Sequence, residues 1–146
     1  MRIQGQSKGF TLLEVLVSLV ILAVGLLGFA GMQARMIKLN QSASERSLAI
    51  MASYSMLDAI RANRAQALAG TYNLDQTCSV TKSSEGLAAS DQQLWLATLK
   101  ASLGNSDATC GAINCTSDGN CAVSIWWDES RSGGSATQVF VVQSRI

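Results

Sequence analysis

Residues 9–32 read GFTLLEVLVSLVILAVGLLGFAGM, and the architecture of the chain turns on them. The twenty-three residues after Gly9 hold a single charge, Glu14. About 20 apolar residues suffice for a helix to span a bilayer. In front lies MRIQGQSKG, short and polar, with Arg2 and Lys8 as its charges. A removable secretory signal fits poorly, because its apolar core would be about 7 to 15 residues long and would not open with a carboxylate beside its basic end. A cut at a small residue such as Ala30 or Ala34 stays open as the alternative. A plain anchor has no use for Glu14 either, since a carboxylate inside a membrane helix costs about 3 kcal/mol on insertion scales and usually has a partner.

Gly9, Phe10, Thr11, Leu12, Leu13 and Glu14 resemble the prepilin peptidase motif of the type IV pilin superfamily, in which a glycine and an aromatic precede a glutamate at the fifth mature position. The resemblance implies that an inner-membrane prepilin peptidase cuts between Gly9 and Phe10 on the cytoplasmic face. It then N-methylates Phe10 from S-adenosylmethionine. The cut would remove nine of 146 residues, leave 137, and keep the apolar run in the mature protein. The chemistry suits the residues. Gly9 lets an extended backbone enter a protease cleft, and Arg2 and Lys8 hold the leader in the cytoplasm. After the cut, Phe10 bears a new ammonium one helical turn from Glu14. Glu14, with Thr11, is implied as an assembly residue, its carboxylate pairing with a neighbouring subunit's N-terminus to set axial register.

With no Pro anywhere, a helix starting near Thr11 meets no obligate stop before the Gly70 region. Residues 10–69 as one helix would run about 90 Å. Gly25, Gly28 and Gly31 form its weakest stretch, suited equally to close helix packing or to local unwinding. Beyond Met32, Ile50, Tyr54, Leu57 and Leu68 fall near one stripe with Ile60 at its margin, and this stripe should carry a globular head. Leu48, Met51 and Met56 lie off it, on a side free to meet other subunits. The expected organisation is a leader at 1–9, a membrane and filament-core half-helix at 10–32, an amphipathic half at 33–69, and a head at 70–146.

Residues 46–73, RSLAIMASYSMLDAIRANRAQALAGTYN, resemble the PilV-type minor pilins in the run that includes Arg61-Ala62-Asn63-Arg64 before a Gly and a Tyr. Asp58 and Arg61 are spaced for an i,i+3 pair contributing about 0.2 to 0.5 kcal/mol. Further on, Ser90 or Asp91 can cap a short helix to Leu103, with Leu94, Trp95, Leu99 and Leu103 as its apolar face and Gly104 as its stop. Strands are expected at residues 121–128 and 137–145, with a shorter one at 108–113. Val123, Ile125 and Trp127 share one strand face and Ala122, Ser124 and Trp126 the other, so one tryptophan must point away from the spine. Trp127 is expected inside with Trp126 partly covered by a loop, and the reverse stays open as the alternative. The fold class is α+β, a helical spine with a head of small antiparallel sheet plus a short helix, which is also the pilin fold that the resemblance implies.

Cys78, Cys110, Cys115 and Cys121 all follow the membrane segment, a pattern that predicts an oxidising compartment and two disulfides. Of three possible pairings, Cys78 with Cys110 and Cys115 with Cys121 is the one expected, because the latter closes the short CTSDGNC turn and the former ties the post-helix loop to the sheet. A zinc site would need four thiolates without any Cys-x-x-Cys knuckle, so no metal is expected.

Charged residues are only 14% of the chain, and removing Arg2 and Lys8 from a formal net charge of +1 leaves −1 after Gly9. Arg35, Lys38, Arg46, Arg61 and Arg64 are scattered without interleaved aromatics, so they predict a solvated helix face and no nucleic-acid partner. Without His, nucleophile elbow or phosphate loop, neither an enzyme nor a cofactor is expected. The resemblance implies a minor pilin of a type IV pilus, held in the bacterial inner membrane with its head in the periplasm before it joins the filament. Its partners would be prepilin peptidase, other minor pilins, the major pilin and a pilus-tip adhesin. An I-type minor pseudopilin of a type II secretion system is the alternative, and a DNA-uptake or receptor-binding subunit a third.

Overall fold

The computed structural model describes residues 9–80 and 86–146, so the leader charges Arg2 and Lys8 lie outside the described residues. A long helix α1 (Leu12–Ala62) leads into a short α2 (Arg64–Leu68), strand β1 (Leu74–Thr77) and helix α3 (Leu87–Leu103). Strands β2 (Cys110–Cys115), β3 (Asn120–Trp127) and β4 (Gln138–Arg145) complete the chain. The four strands form one antiparallel meander in the order β1-β2-β3-β4. This is the α+β plan of the type IV pilin fold. The chain divides into two compact units after Ile37. In the first, every described side chain is exposed, whereas the second contains a closed core.

The core inverts some sequence expectations. α1 buries Ala49, Ala52, Ser53, Met56, Leu57 and Ile60, while Ile50 and Tyr54 of the expected stripe are 40% and 51% exposed. Leu57 and Ile60 are buried as expected, but the true stripe is turned from the expected one, completed by Met56 and the small residues Ala49, Ala52 and Ser53 where Ile50 and Tyr54 were looked for. Trp95 of α3 reaches this face, its indole N–H donating to the Ala52 carbonyl at 3.1 Å. Met56, expected off the stripe, is at its centre.

α3 starts earlier than a cap at Ser90 or Asp91 would place it, behind Gly86 at φ 128°. Asp91 serves elsewhere, accepting a 2.6 Å hydrogen bond from the buried Tyr72 hydroxyl. Burial, followed by this carboxylate, raises the Tyr72 pKa. Leu94 is 70% exposed and Gln92 is buried in its stead, donating to the Tyr72 carbonyl at 3.0 Å. The helical run also breaks at Asn63, which separates α1 from α2 and whose side chain donates to the Tyr72 hydroxyl at 3.4 Å. Strand β1, unforeseen because LDQT lacks an apolar alternation, pairs with β2 through an irregular register.

On the inner face of the sheet, Ile113, Val123, Ile125 and Trp127 are buried, and Phe140 and Val142 pack against them. Trp127 is inside and Trp126 half-buried. Gly111 lies flush beneath the Trp95 ring, where a Cβ would collide with Cζ3 and Cη2. A disulfide joins Cys78 to Cys110, and another joins Cys115 to Cys121, which are direct cross-strand partners. Arg61 donates to Asp58 at 2.8 Å and to the Ser144 hydroxyl at 2.6 Å, and Arg64 donates to the Ile146 carbonyl at 3.2 Å. These arginines are therefore fasteners for the end of β4 rather than a merely solvated face.

Glu129, just after β3, has a wholly buried side chain. Ser42 donates to Oε1 at 2.6 Å, and the Arg46 guanidinium forks across both oxygens at 3.1 Å each. The Glu129 carbonyl meanwhile accepts from the N–H groups of Ser132 and Gly134 and from the Ser132 hydroxyl. A side chain at position 134 would strike the Glu129 carboxylate, so Gly is required there. Hydrogen bonding from the Arg46 guanidinium, helped by Ser42 and by its charge, outweighs burial and lowers the Glu129 pKa. A depressed carboxyl stabilises the fold above the ordinary glutamate range, and this contribution is lost as pH falls through the lowered value.

Two outcomes are expected. Gly111→Ala should destabilise the chain by about 1 to 3 kcal/mol through overpacking against Trp95, and an unchanged melting temperature in detergent would remove the steric argument. Glu129→Gln should melt lower at neutral pH and show a flatter loss of stability on acidification than wild type. Parallel acid profiles for the two proteins would show that this carboxylate does not carry the acid sensitivity.

Candidate functional site

Gly9 and Phe10 precede α1, and Thr11 sits at its N-terminus. The Glu14 N–H donates to Thr11 Oγ1 at 3.3 Å and to the Thr11 carbonyl at 3.0 Å, and the Val15 N–H reaches the same carbonyl at 3.3 Å. Thr11 is thus the N-cap and Glu14 the third helical residue, the spacing of a capping box with its first half formed. The sequence signal for this was present in Thr11-Leu12-Leu13-Glu14, a threonine followed three residues on by glutamate before an apolar run. It gives Thr11 a local duty: to start the helix immediately after the expected cut.

The Glu14 carboxylate itself makes no hydrogen bond or ion pair among the described residues. Ser18, one turn on, turns its hydroxyl back to the Glu14 carbonyl at 2.7 Å. Phe10 is 82% exposed, and a Cβ at Gly9 would meet nothing within 4 Å. Among the described residues, nothing therefore places a steric demand on Gly9.

From position 9 to 41 every residue is exposed, including a helical window of mean hydropathy 2.6, long and apolar enough to cross a membrane. α1 is unbroken through Gly25, Gly28 and Gly31, each with open space around its Cα. Such small-residue positions let another helix backbone approach closely. Further along α1, Ile50, Met51 and Tyr54 are exposed while the adjoining face is buried in the core. Apolar surface of this extent on a folded chain calls for lipid or protein cover.

Gly9, Phe10, Thr11 and Glu14, the positions expected to serve processing and assembly, thus lie within six residues at the start of one exposed apolar helix, whereas the four cysteines lie in the head. Sequence reasoning missed the Glu129 clamp, for which no local pattern exists: its partners Ser42 and Arg46 are more than 80 positions away in the chain.

Among known protein families, the model of the prokaryotic N-terminal methylation motif matches residues 5–30. No curated relative and no solved structure matches the chain. The motif match is confined to the segment whose geometry is described above, and it marks that segment as the prepilin signal of a type IV pilin-like or pseudopilin substrate of prepilin peptidase. The apolar helix behind it suits membrane anchoring followed by incorporation into a pilus or pseudopilus.

Proposed function

We propose that this chain is a minor pilin of a type IV pilus, cut between Gly9 and Phe10, N-methylated on Phe10 and used to prime filament assembly. The observation that carries the proposal is the methylation motif at the start of a helix with no buried residue before position 42, joined to a separate disulfide-bonded head. The exposed helix is the assembly element; the head distinguishes this subunit from others that share such a helix. Before assembly the helix resides in the inner membrane with the head on the periplasmic side, where the two disulfides are stable. Glu14 then neutralises the Phe10 ammonium of a neighbouring subunit as the helix leaves the membrane. The segment containing Arg61 and Arg64, which resembles the PilV-type minor pilins, favours the pilus over the second reading, an I-type minor pseudopilin of a type II secretion system. Other minor pilins, the major pilin and a tip adhesin are the implied partners.

Gly9→Val should abolish processing, seen as a precursor nine residues longer than the mature chain in cells containing the peptidase. A mature-length product from that variant would move the cut elsewhere. Glu14→Ala should still be cut, because the scissile bond is untouched, yet be depleted from sheared filaments; wild-type amounts there would rule out the pairing role. Deleting the gene should remove surface pili and leave exoprotein secretion intact. Lost secretion with normal piliation would transfer the assignment to the pseudopilin.

A further inference from the structure

The outward side of the sheet carries a polar trough lined by residues of the four strands and their turns. Antiparallel register aligns its outward side chains in rows: Asn114, Ala122 and Gln143 form one, and Ala112, Ser124 and Val141 the next. Trp126 beside Val139 ends the series on one side, and Asn120 beside Arg145 ends it on the other. Ala122 and Ser124 are small, so each row is low at its middle. Two adjoining hollows of about 590 and 270 Å³ open over them, sharing Asn114 and Ala122 as lining. From Asn120 to Ser124 the hollows extend about 13 Å along β3.

The chemistry of the lining selects a class of ligand. It holds one cation, Arg145 on β4, and one anion, Asp75 on β1, at opposite edges of the sheet, so neither a polyanion nor a polycation is matched. Between them stand Asn114, Asn120 and Gln143, whose side chains hydrogen-bond to no other described residue. A planar amide presents a carbonyl acceptor beside an N–H₂ donor, which suits a pair of adjacent hydroxyls. Beyond the hollows, the next outward row, Trp126 beside Val139, offers an apolar rest for the C–H face of a ring. An added peptide strand is excluded from the trough itself, because the backbones of β2 and β3 are already paired on both sides. We propose that this trough binds a neutral oligosaccharide.

The test uses the full processed chain in phosphocholine micelles, followed by side-chain amide NMR signals during titration with maltohexaose, cellohexaose and the hexamer of N-acetylglucosamine. A heparin hexasaccharide and the peptide VTVTVT serve as charged and strand-forming comparators. At least one neutral hexasaccharide should shift the Asn114 and Gln143 amides at or below about 10 mM, in the weak range for an open site. The exposed double variant N114A/Q143A should keep its melting temperature and lose about tenfold in affinity. No shift with any neutral glycan, shifts with heparin alone, shifts with the peptide alone along β4, or affinity unchanged in the double variant would each overturn the proposal.

Discussion

A buried carboxylate must be matched where it lies, and the match for Glu129 comes from α1 alone, through Ser42 and Arg46. A charge removed from water without such partners would cost several kcal/mol, so the loop after β3 and the helix are held to one register. The same residue, through its main-chain carbonyl, folds the loop that returns the chain into β4. One side chain thus fixes both where the helix joins the head and how the last hairpin closes. Upstream of Ser42 every described residue of the helix is exposed, which is the property the proposed assembly element needs. Arg61 and Arg64 make a second attachment at the other end, against Ser144 and Ile146.

Between those attachments the core is small and depends on close approach. Ala52 on α1 and Gly111 on β2 are positions where side chains are nearly absent, and Trp95 lies against both. A core of this size gains from covalent help. The link from Cys78 to Cys110 closes a long loop around α3, and the link from Cys115 to Cys121 closes a tight hairpin. In the chain-entropy account the longer loop gives the larger stabilisation.

The helix, the closing strands and the α+β class were legible because each has a local signal: uninterrupted apolar length, period-two alternation, or a glycine stop. Alternation put Trp126 and Trp127 on opposite faces but did not by itself choose which one faces the core. The buried stripe of α1 was legible in part: Leu57 and Ile60 lie on it, whereas hydrophobic size pointed to Ile50 and Tyr54 and away from Met56 and the small Ala49, Ala52 and Ser53. The start of α3 was missed because Asp91, a plausible cap, is taken by Tyr72. Strand β1 has no alternation to read, since it is held by pairing with β2. Of the assembly segment, the motif was plain and the capping role of Thr11 was written in the same residues. The role of Arg46 was hidden, because a single arginine on a helix looks alike whether it faces water or a distant carboxylate.

Trp95, Trp126 and Trp127 are all in the head, and none lies in the long helix. Tryptophan fluorescence of this protein, excited at wavelengths that spare tyrosine, is consequently a report on the head alone. Trp95 and Trp127, both buried, would emit at short wavelength and move to longer wavelength only when the core opens. Transfer of the helix from detergent to lipid, or from lipid into a fibre, would leave that emission unchanged so long as the head stays folded.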